Sequence, residues 1–590
     1  MKLQNILFPT ASTAGEGGMY FFTSSKMTDS GQIRLKAGES LTTDTYFNGL
    51  SADKWKKYTV VREVTLTLHL QGKVQYALFS KVDKDGGEEK LAEGILTPDT
   101  GWETLPIPWE KARGIVYFRL TALEPSVFYG GWYTCAAPAQ RPVKIALDIC
   151  TYRREAYVKE NCRLLWERMT RDPDFGHFLI FVVDNGRTLT PEDLPEGVRL
   201  FPNANAGGSG GFTRGLMEIQ QAARQENITH ALLMDDDVLL EPEALLRTYT
   251  LLSLAKVEYR DGVVGGAMLR LDKKSVLVES GALWNRGWLI SRKKGLDVSL
   301  PGACLESEAE EPVDYTAWWY TCLPLSLARE DNLPLPFFVR GDDVEYGLRN
   351  ARHILLLNGI CIWHEPFENK YAAYTEYYIL RNQLIANAIH NRAFSLQEIR
   401  SYVKNRVMEE VYMYRYRSAQ LLMDAVEDFL KGVDWLKQTD AQALHQEILK
   451  KGGTFLSPEE TAQLFDQESY GKSIAKKTEL PFFHKVMRRL TVNGTFLPSA
   501  VPMVSVPVLG NLEINVYRAE KALYYDKATG RGFVAQKDAK QAKDCLKRLH
   551  RVERRLSAEY EKTNHQFRQR YRELTNRKFW QAYLGLPPQR

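Results

Sequence analysis

A short apolar segment that ends in three consecutive aspartates constrains the fold of this chain more than any other feature. Residues 229–234 have the composition of a buried β-strand, and Asp235, Asp236 and Asp237 follow it directly. Three adjacent carboxylates repel one another, and a divalent cation such as Mg²⁺ or Mn²⁺ relieves that repulsion because it prefers carboxylate oxygens. The alternative interpretation is a solvated acidic turn that precedes a helix.

Strands and helices alternate around this segment. Residues 143–150 and 178–184 predict two further buried strands, and residues 155–170 and 215–226 predict helices. A β-α-β order predicts a parallel sheet with helices on both faces. Ligands of such sheets bind at the carboxyl ends of the strands, where the aspartates fall.

The length of 590 residues is too great for a single hydrophobic core. Residues 1–140 contain short segments with β-branched and aromatic residues at alternate positions, which predicts a β-sandwich of jelly-roll type. Residues 141–392 form the predicted α/β domain, and residues 393–590 predict a mostly helical domain.

Composition argues against several classes of protein. A net charge of +5 is small for this length, so no nucleic-acid partner is predicted. The chain contains no run of 18 apolar residues and no apolar signal-peptide core at its N-terminus. Its seven scattered cysteines, without Cys-x-x-Cys spacing, predict reduced thiols. We therefore expect a cytoplasmic protein. A peripheral position at the inner face of the plasma membrane is compatible with this expectation.

Two further motifs lie between the predicted strands. Asp184 precedes Asn-Gly, and its carboxylate is suited to a nucleoside, although Asp-Asn-Gly alone indicates only a turn. In residues 207–211, four of five residues are glycine, which permits close backbone approach to a ligand beside a helix start. The segment lacks the Walker A pattern, so it predicts another kind of nucleotide or phosphate loop, or a flexible loop.

Three motifs follow in the second half of the α/β domain. Asp342 and Asp343 are predicted at a strand-to-helix turn, and a strand is predicted to end at His364. A histidine beside tryptophan is more often a core residue, but near an acidic metal site it is a candidate ligand. Trp318 and Trp319 offer flat apolar faces suited to stacking on a sugar, unless one of them faces the core.

The ordered motifs Cys-Thr-Tyr-Arg, Asp-Asn-Gly, Asn-x-Asn-x-Gly-Gly-x-Gly-Gly-Phe, Asp-Asp-Asp, Trp-Trp, Asp-Asp-x-Glu and Trp-His-Glu-Pro resemble those of the family 2 GT-A glycosyltransferases. They are most similar to the polymerising galactofuranosyltransferases of mycobacteria. The resemblance implies an N-terminal β-sandwich, a central α/β domain of GT-A (Rossmann-like) fold and a helical C-terminal region.

The resemblance also implies an inverting transfer of a sugar from a nucleoside diphosphate to a growing cell-surface glycan. UDP-galactofuranose is the expected donor, and other donors such as dTDP-rhamnose stay open for family 2 domains of this shape. The roles that it implies are a catalytic base, Asp343; ligands of Mn²⁺ or Mg²⁺, Asp235, Asp237 and His364; donor contacts, Thr151, Arg153, Asp184, Asn205, Gly208, Asp235 and Asp236; and acceptor contacts, Glu279, Trp288, Trp318, Trp319 and Asp342.

Two other functions stay open at this stage. A metal-dependent nucleotidyl or phosphoryl transferase would also require clustered acids, and a non-catalytic glycan-binding protein would account for the sandwich and the aromatic residues. The expected partners are the sugar nucleotide, a glycan or lipid-linked glycan acceptor, a second copy of the chain, and an anionic membrane. The membrane contact is predicted from the basic helix of residues 537–580, which carries an apolar stripe. Alternatively, the helix packs with that stripe on the α/β domain of the same chain and leaves its basic face solvated.

Overall fold

The computed structural model describes residues 1–587, except for residues 11, 14–15, 26, 29–30, 84–86, 99–100, 367–371, 454, 475–481 and 511–512. The chain forms two compact units. The first contains residues 1–204, 211–333 and 346–365, and the second contains residues 205–210, 334–345 and 366–590.

The N-terminal part of the first unit consists of two antiparallel sheets and one helix. Its strands are β1 (Lys2–Asn5), β2 (Phe22–Thr23), β3 (Met27–Thr28), β4 (Gln32–Leu35), β5 (Ser40–Thr42), β6 (Leu50–Ser51), β7 (Val64–Gln71), β8 (Val74–Lys81), β9 (Glu89–Leu96), β10 (Trp102–Ile107), β11 (Ile115–Ala122) and β12 (Ser126–Thr134), and its helix is α1 (Ala52–Tyr58).

One sheet has the order β10-β7-β12-β4-β3 with β1 beside β12, and the other has the order β2-β5-β11-β8-β9 with β6 beside β11. Alternate residues of β7 are buried, as the period-two pattern predicts. The expected β-rich N-terminal region is confirmed.

The remaining part of the first unit is an α/β layer. Its strands are β13 (Ile145–Thr151), β14 (Phe178–Asp184), β15 (Arg199–Pro202), β16 (His230–Asp235), β17 (Leu239–Leu240), β18 (Val263–Arg270), β19 (Leu277–Glu279), β20 (Ala282–Asn285), β21 (Trp288–Ser291), β22 (Thr321–Pro324) and β23 (Ile354–His364). Its helices are α2 (Glu155–Arg171), α3 (Gly207–Glu226), α4 (Glu243–Leu254), α5 (Ala303–Glu308) and α6 (Asp342–Asn350), of which α3 and α6 begin in the second unit.

The central sheet has the order β15-β14-β13-β16-β22-β18-β23-β17, with β19 beside β18, while β20 and β21 form a separate hairpin. The ladders among β13, β14, β15 and β16 are parallel, as predicted. The expectation of an entirely parallel sheet is wrong, because β22 runs antiparallel to both β16 and β18. The sheet is therefore mixed, and the expected α/β class is confirmed.

The glycine-rich segment is not a loop, which corrects the sequence prediction. Helix α3 begins at Gly207 rather than at Gly215. A Cβ atom on Gly211 would lie 2.0 Å from the Cys150 Sγ, and one on Gly215 would lie 1.9 Å from the Asp148 Oδ1. The two later glycines therefore let α3 pack closely against β13, a requirement that composition alone does not reveal.

The second unit is mainly helical. Its further elements are α7 (Ala373–Ile389), α8 (Leu396–Tyr412), α9 (Tyr416–Leu430), α10 (Gly432–Gln438), α11 (Ala441–Gly452), α12 (Pro458–Leu464), α13 (Gln467–Ile474), α14 (Phe482–Leu490), β24 (Val501–Pro507), β25 (Ala519–Tyr525), β26 (Gly532–Gln536), α15 (Ala539–Arg570) and α16 (Arg577–Tyr583). The hairpin predicted near residues 523–533 is present as β25 and β26.

The long basic helix α15 ends at Arg570, ten residues before the predicted end at residue 580. Its apolar stripe is buried and packs against α7, α8 and α9; its residues are Leu549, Val552, Leu556 and Tyr560. The stripe therefore lies in the core of this unit and is not available to a membrane. The alternative interpretation expected it to pack on residues 141–392, and of its three partner helices only α7 lies in that range. Among the described helices, none combines the length and apolar character needed to cross a bilayer.

A buried arginine joins the N-terminal strands to the α/β layer within the first unit. Arg247 on α4 is fully buried, and its guanidinium donates to the Phe47 carbonyl at 2.7 Å and the Asn358 carbonyl at 2.9 Å. Glu243, one turn earlier, accepts hydrogen bonds from the backbone and side chain of Asn5. The two parts of this unit thus share one buried charge network.

Candidate active site

Three potential metal ligands converge at one edge of the central sheet. β16 ends at Asp235, the turn after it carries Asp237, and β23 ends at His364. One ligand atom from each residue lies within 4.8 Å of the other two. The short ladder between β17 and β23, in which Leu239 pairs with Trp363, holds these two chain segments side by side. The three residues predicted as ligands are therefore adjacent.

The donor set suits a divalent cation. The His364 Nδ1 lies 2.7 Å from the Glu365 carbonyl oxygen, and its Nε2 lies 3.2 Å from the Asp237 Oδ1. In a neutral ring, Nδ1–H donates to the carbonyl, so that Nε2 directs a lone pair towards the carboxylate. Two lone pairs that face each other repel, and a cation bound between them removes that repulsion. Two carboxylates and one imidazole therefore form a candidate metal site.

The electrostatics of the aspartates agree with this interpretation. Burial raises the pKa of Asp235 to about 6, although the nearby His364 opposes the shift. Burial also raises the pKa of Asp236, while the charge of the nearby Arg154 opposes the shift. A bound cation favours the ionised form of such carboxylates.

An arginine that the sequence prediction missed contacts the aspartates. The Arg154 guanidinium lies 3.2 Å from the Asp236 Oδ1 and also forms an ion pair with Asp237. The Asn161 amide donates to the carbonyls of Asp236 at 2.9 Å and Val238 at 3.0 Å, which holds the backbone of the turn. Arg154 directly follows the Cys-Thr-Tyr-Arg motif, whose resemblance to the family implies a role only for Arg153.

The residues predicted to bind the donor follow β13 and β14. Thr151 ends β13, is buried, and pairs in the parallel ladder with Asp184, the last residue of β14. Arg153 has a left-handed backbone with φ of 55°, is exposed, and lies over the Tyr152 ring at 5.3 Å. These residues lie at the carboxyl ends of parallel strands, as predicted.

Asp184 also shapes the loop that follows it. The side chain is buried, and its carboxylate accepts backbone N–H groups from Gly186 at 2.8 Å, Thr188 at 2.6 Å and Leu189 at 2.8 Å. Three such bonds account for the turn that Asp-Asn-Gly indicated. Its role in binding a nucleoside stays a prediction.

In the second unit, two predicted residues lie near the start of α3. The Asn205 Oδ1 accepts the Gly207 N–H at 3.0 Å. A Cβ atom on Gly208 would lie 3.9 Å from the Asp342 Oδ2. The structure therefore places the predicted donor residue Gly208 beside the predicted acceptor residue Asp342.

Asp342 and Asp343 begin helix α6, but residues 334–341 before them are not a strand, which corrects the predicted strand-to-helix turn. The Asp343 Oδ1 accepts the Val344 N–H at 2.7 Å. Burial raises the pKa of Asp343 to about 6, against the opposing effects of this bond and of the Arg340 charge. A carboxyl group with such a pKa is well suited to accept a proton near neutral pH.

The predicted acceptor residues differ widely in exposure. Trp288 at the start of β21 is 63% exposed. Glu279 at the end of β19 is buried and accepts a hydrogen bond from the Ser291 hydroxyl at 2.6 Å. Trp288 therefore offers an open ring face, whereas Glu279 contacts the neighbouring hairpin.

Trp318 and Trp319 both lie mostly in the core, at 5% and 6% exposure, whereas the sequence prediction allows for only one core-facing ring. The Trp319 Nε1 donates to the Gly266 carbonyl at 2.9 Å. The Trp318 ring makes edge contacts with Phe212 and Tyr346. Sugar stacking on either ring would use only a small exposed edge.

The chain is similar to known glycosyltransferases. Residues 3–135 match the family model described as galactofuranosyltransferase 2 N-terminal. The chain is 29% identical over 454 residues to the galactofuranosyltransferase GlfT2 of Mycobacterium tuberculosis (strain ATCC 25618 / H37Rv), over 70% of this chain and 69% of that protein. The protein is a glycosyltransferase that resembles GlfT2.

A second relative has the same name. The GlfT2 of Mycolicibacterium smegmatis (strain ATCC 700084 / mc(2)155) is 29% identical over 422 residues, which span 66% of this glycosyltransferase and 63% of the relative. A solved mannosyltransferase, PcManGT from Pyrobaculum calidifontis in complex with GDP-Man and Mn²⁺, is 11% identical over 53% of this chain and 83% of its own, with a TM-score of 0.28. The resemblance expected from the motifs is confirmed by the two GlfT2 relatives and the family model.

Proposed function

We propose that this glycosyltransferase uses a divalent cation, Mn²⁺ or Mg²⁺, and inverts the anomeric centre as it transfers galactofuranose from UDP-galactofuranose to a growing glycan. The observation that carries this proposal is the convergence of Asp235, Asp237 and His364 at the ends of β16 and β23. The similarity to galactofuranosyltransferases supports the choice of sugar.

In the proposed reaction, Asp343 accepts the proton of an acceptor hydroxyl while the hydroxyl oxygen attacks the anomeric carbon. The bond from that carbon to the diphosphate oxygen breaks, and the diphosphate leaves with the electron pair. When bound, the cation supplies positive charge that stabilises the leaving diphosphate. One direct displacement inverts the configuration without a covalent enzyme intermediate.

Other residues have supporting roles in this proposal. Thr151, Arg153 and Asp184, together with Asn205 and Gly208, contact the nucleotide. Trp288 stacks on the acceptor, because its ring is the most exposed of the predicted acceptor residues. The proposed acceptor is a cell-surface glycan or its lipid-linked precursor, reached from the cytoplasmic face of the membrane, and self-association is a further proposal.

The test uses the purified protein with UDP-galactofuranose, a short galactofuranosyl acceptor and Mn²⁺ or EDTA. We expect transfer with the metal, none in EDTA, and release of UDP with an inverted linkage in the NMR spectrum of the product. Asp237→Asn should lose transfer, whereas the matched change Asp331→Asn, at an exposed aspartate, should not. Transfer at full rate in EDTA would make the carboxylates structural, and release of a sugar phosphate would instead indicate nucleotidyl transfer.

A further inference from the structure

The segment that leads into Asp343 has an unusual backbone. Residues 334–341 lack regular secondary structure, and both Phe338 and Arg340 have left-handed conformations, with φ of 70° and 68°. Side chains other than glycine rarely adopt such conformations, which persist only where the surrounding structure holds them. Such strained positions often occur at functional sites, where contacts with the surrounding structure hold them in place.

A single buried amide holds three carbonyl groups of the segment. Asn382 on α7 is 1% exposed. Its Nδ2 lies 3.2 Å from the Phe337 oxygen, 3.0 Å from the Val339 oxygen and 2.7 Å from the Arg340 oxygen. The Phe337 and Val339 carbonyls directly precede the two left-handed residues, Phe338 and Arg340, and the third carbonyl belongs to Arg340 itself. The amide therefore stabilises the strained backbone at both left-handed residues.

Arg381, also buried, orients this amide. Its Nε donates to the Asn382 Oδ1 at 3.0 Å, which directs the Nδ2 of Asn382 towards the carbonyls. Its Nη2 donates to the Phe337 oxygen at 2.9 Å. The guanidinium lies over the rings of Tyr377 and Tyr378, at 5.3 and 5.1 Å, so packing further restricts its position.

The segment determines where helix α6 begins. The Gly341 carbonyl accepts the Glu345 N–H at 3.0 Å, which closes the first turn of the helix. Asp343 lies within this turn, so the direction of its carboxylate depends on the backbone of residues 337–341. A shift of that backbone would move the carboxylate without removing it.

We propose that Asn382, oriented by Arg381, is a positioning residue for sugar transfer: it holds the strained backbone that directs the Asp343 carboxylate at the acceptor hydroxyl. This inference rests on the proposed function, since it takes Asp343 as the base. Asn382 acts through Asp343, and neither Asn382 nor Arg381 touches the substrate in this proposal. A displacement of about 1 Å at a reacting group can lower the rate by about 10²-fold.

The test compares kcat and donor affinity in two variants of similar size, Asn382→Leu and Asn382→Asp, each of which removes the amide donor. Titration with UDP and Mn²⁺ gives the concentration of folded sites, to which kcat is normalised. We expect kcat to fall by roughly 10- to 100-fold, with the donor dissociation constant within about twofold of the parent. The control is Gln383→Leu at the next position of α7, where the side chain accepts a hydrogen bond from Tyr402 at 3.0 Å.

A double variant separates positioning from a general structural role. If Asn382 acts through Asp343, then Asn382→Leu should cause no further loss of kcat in an Asp343→Asn background. Additive losses, or a single-variant kcat within about twofold of the parent, would overturn the inference. A normal kcat for Asp343→Asn itself would instead refute the base assigned in the proposed function, so the two failures are distinguishable.

Discussion

Replacing Arg340 with methionine should move the acidic limb of the pH–rate profile to higher pH. The positive charge of Arg340 favours the ionised form of Asp343 and so opposes the effect of burial on its pKa. Methionine removes this charge and keeps a long apolar side chain. The pKa of Asp343 should therefore rise, and a base that must be ionised would then become active only at a higher pH.

The size of the expected fall in kcat at low pH follows, for the parent enzyme, from the raised pKa of Asp343. With a value of about 6 rather than the ordinary 3.8, about a tenth of the Asp343 carboxyl groups are ionised at pH 5 and about nine tenths at pH 7. Hence kcat should fall about tenfold between pH 7 and pH 5. A base with the ordinary value would lose less than about a tenth of its activity over that range.

The assay measures kcat from pH 5 to pH 8 at saturating donor, acceptor and Mn²⁺, and donor binding at each pH shows whether the metal cluster titrates as well. Arg329→Met, at an exposed arginine, is the control for a lost surface charge. Two results would refute the assignment of Asp343 as the titrating base. One is an acidic limb of the parent kcat profile with its midpoint near pH 4, and the other is a midpoint that Arg340→Met leaves unchanged or moves to lower pH.

Four further outcomes are expected. Asp237→Ala should weaken both Mn²⁺ and donor binding in calorimetry, and unchanged affinities would mean that this carboxylate is not a ligand. Gly215→Ala should destabilise the protein by about 1–3 kcal/mol, because its Cβ would lie 1.9 Å from the Asp148 Oδ1. The control Gly471→Ala, whose Cβ would have no atom within 4 Å, should stabilise the protein by up to about 1 kcal/mol. Equal melting temperatures of the two variants would contradict this prediction. Burial raises the pKa of Asp148 well above 3.8. The contribution of Asp148 to the free energy of unfolding should therefore decrease as the pH rises above about 4, by about 1.4 kcal/mol per pH unit. Asp148→Asn should reduce this slope, measured by denaturant titrations at several pH values. Trp288→Ala should raise the acceptor KM at unchanged donor hydrolysis, and an unchanged KM would exclude stacking on this ring.

The strands that carry the candidate metal ligands are predictable because each is an apolar run that ends abruptly in a polar residue. Strand β14 was predicted at its observed bounds, β16 ends at the first aspartate, and β23 ends at His364. The signal is strong because burial on both faces of a sheet requires a continuous apolar run, which a charged residue interrupts.

Other features depend on contacts between distant residues, and no local pattern encodes them. The glycines of residues 207–211 predict a loop because they permit close backbone approach to a ligand, whereas the structure places them in α3, where the approach of that helix to Cys150 and Asp148 requires glycine at 211 and 215. The antiparallel course of β22 depends on the path of the chain through 50 residues after β18. Asn382 is one of several buried polar residues of α7, and its sequence neighbours give no indication that it holds a segment 42–45 residues away.

The buried guanidinium of Arg247 has a consequence for any attempt to produce a smaller enzyme. In a fragment that starts at residue 141, Arg247 would lose its hydrogen bond to the Phe47 carbonyl. Glu243 would lose the hydrogen bonds that it accepts from the backbone and side chain of Asn5. A buried charge that loses its partners typically costs about 3–5 kcal/mol. The N-terminal residues therefore help to stabilise the central sheet, and a fragment without them should be less stable and aggregate unless the missing strands are supplied as a separate chain.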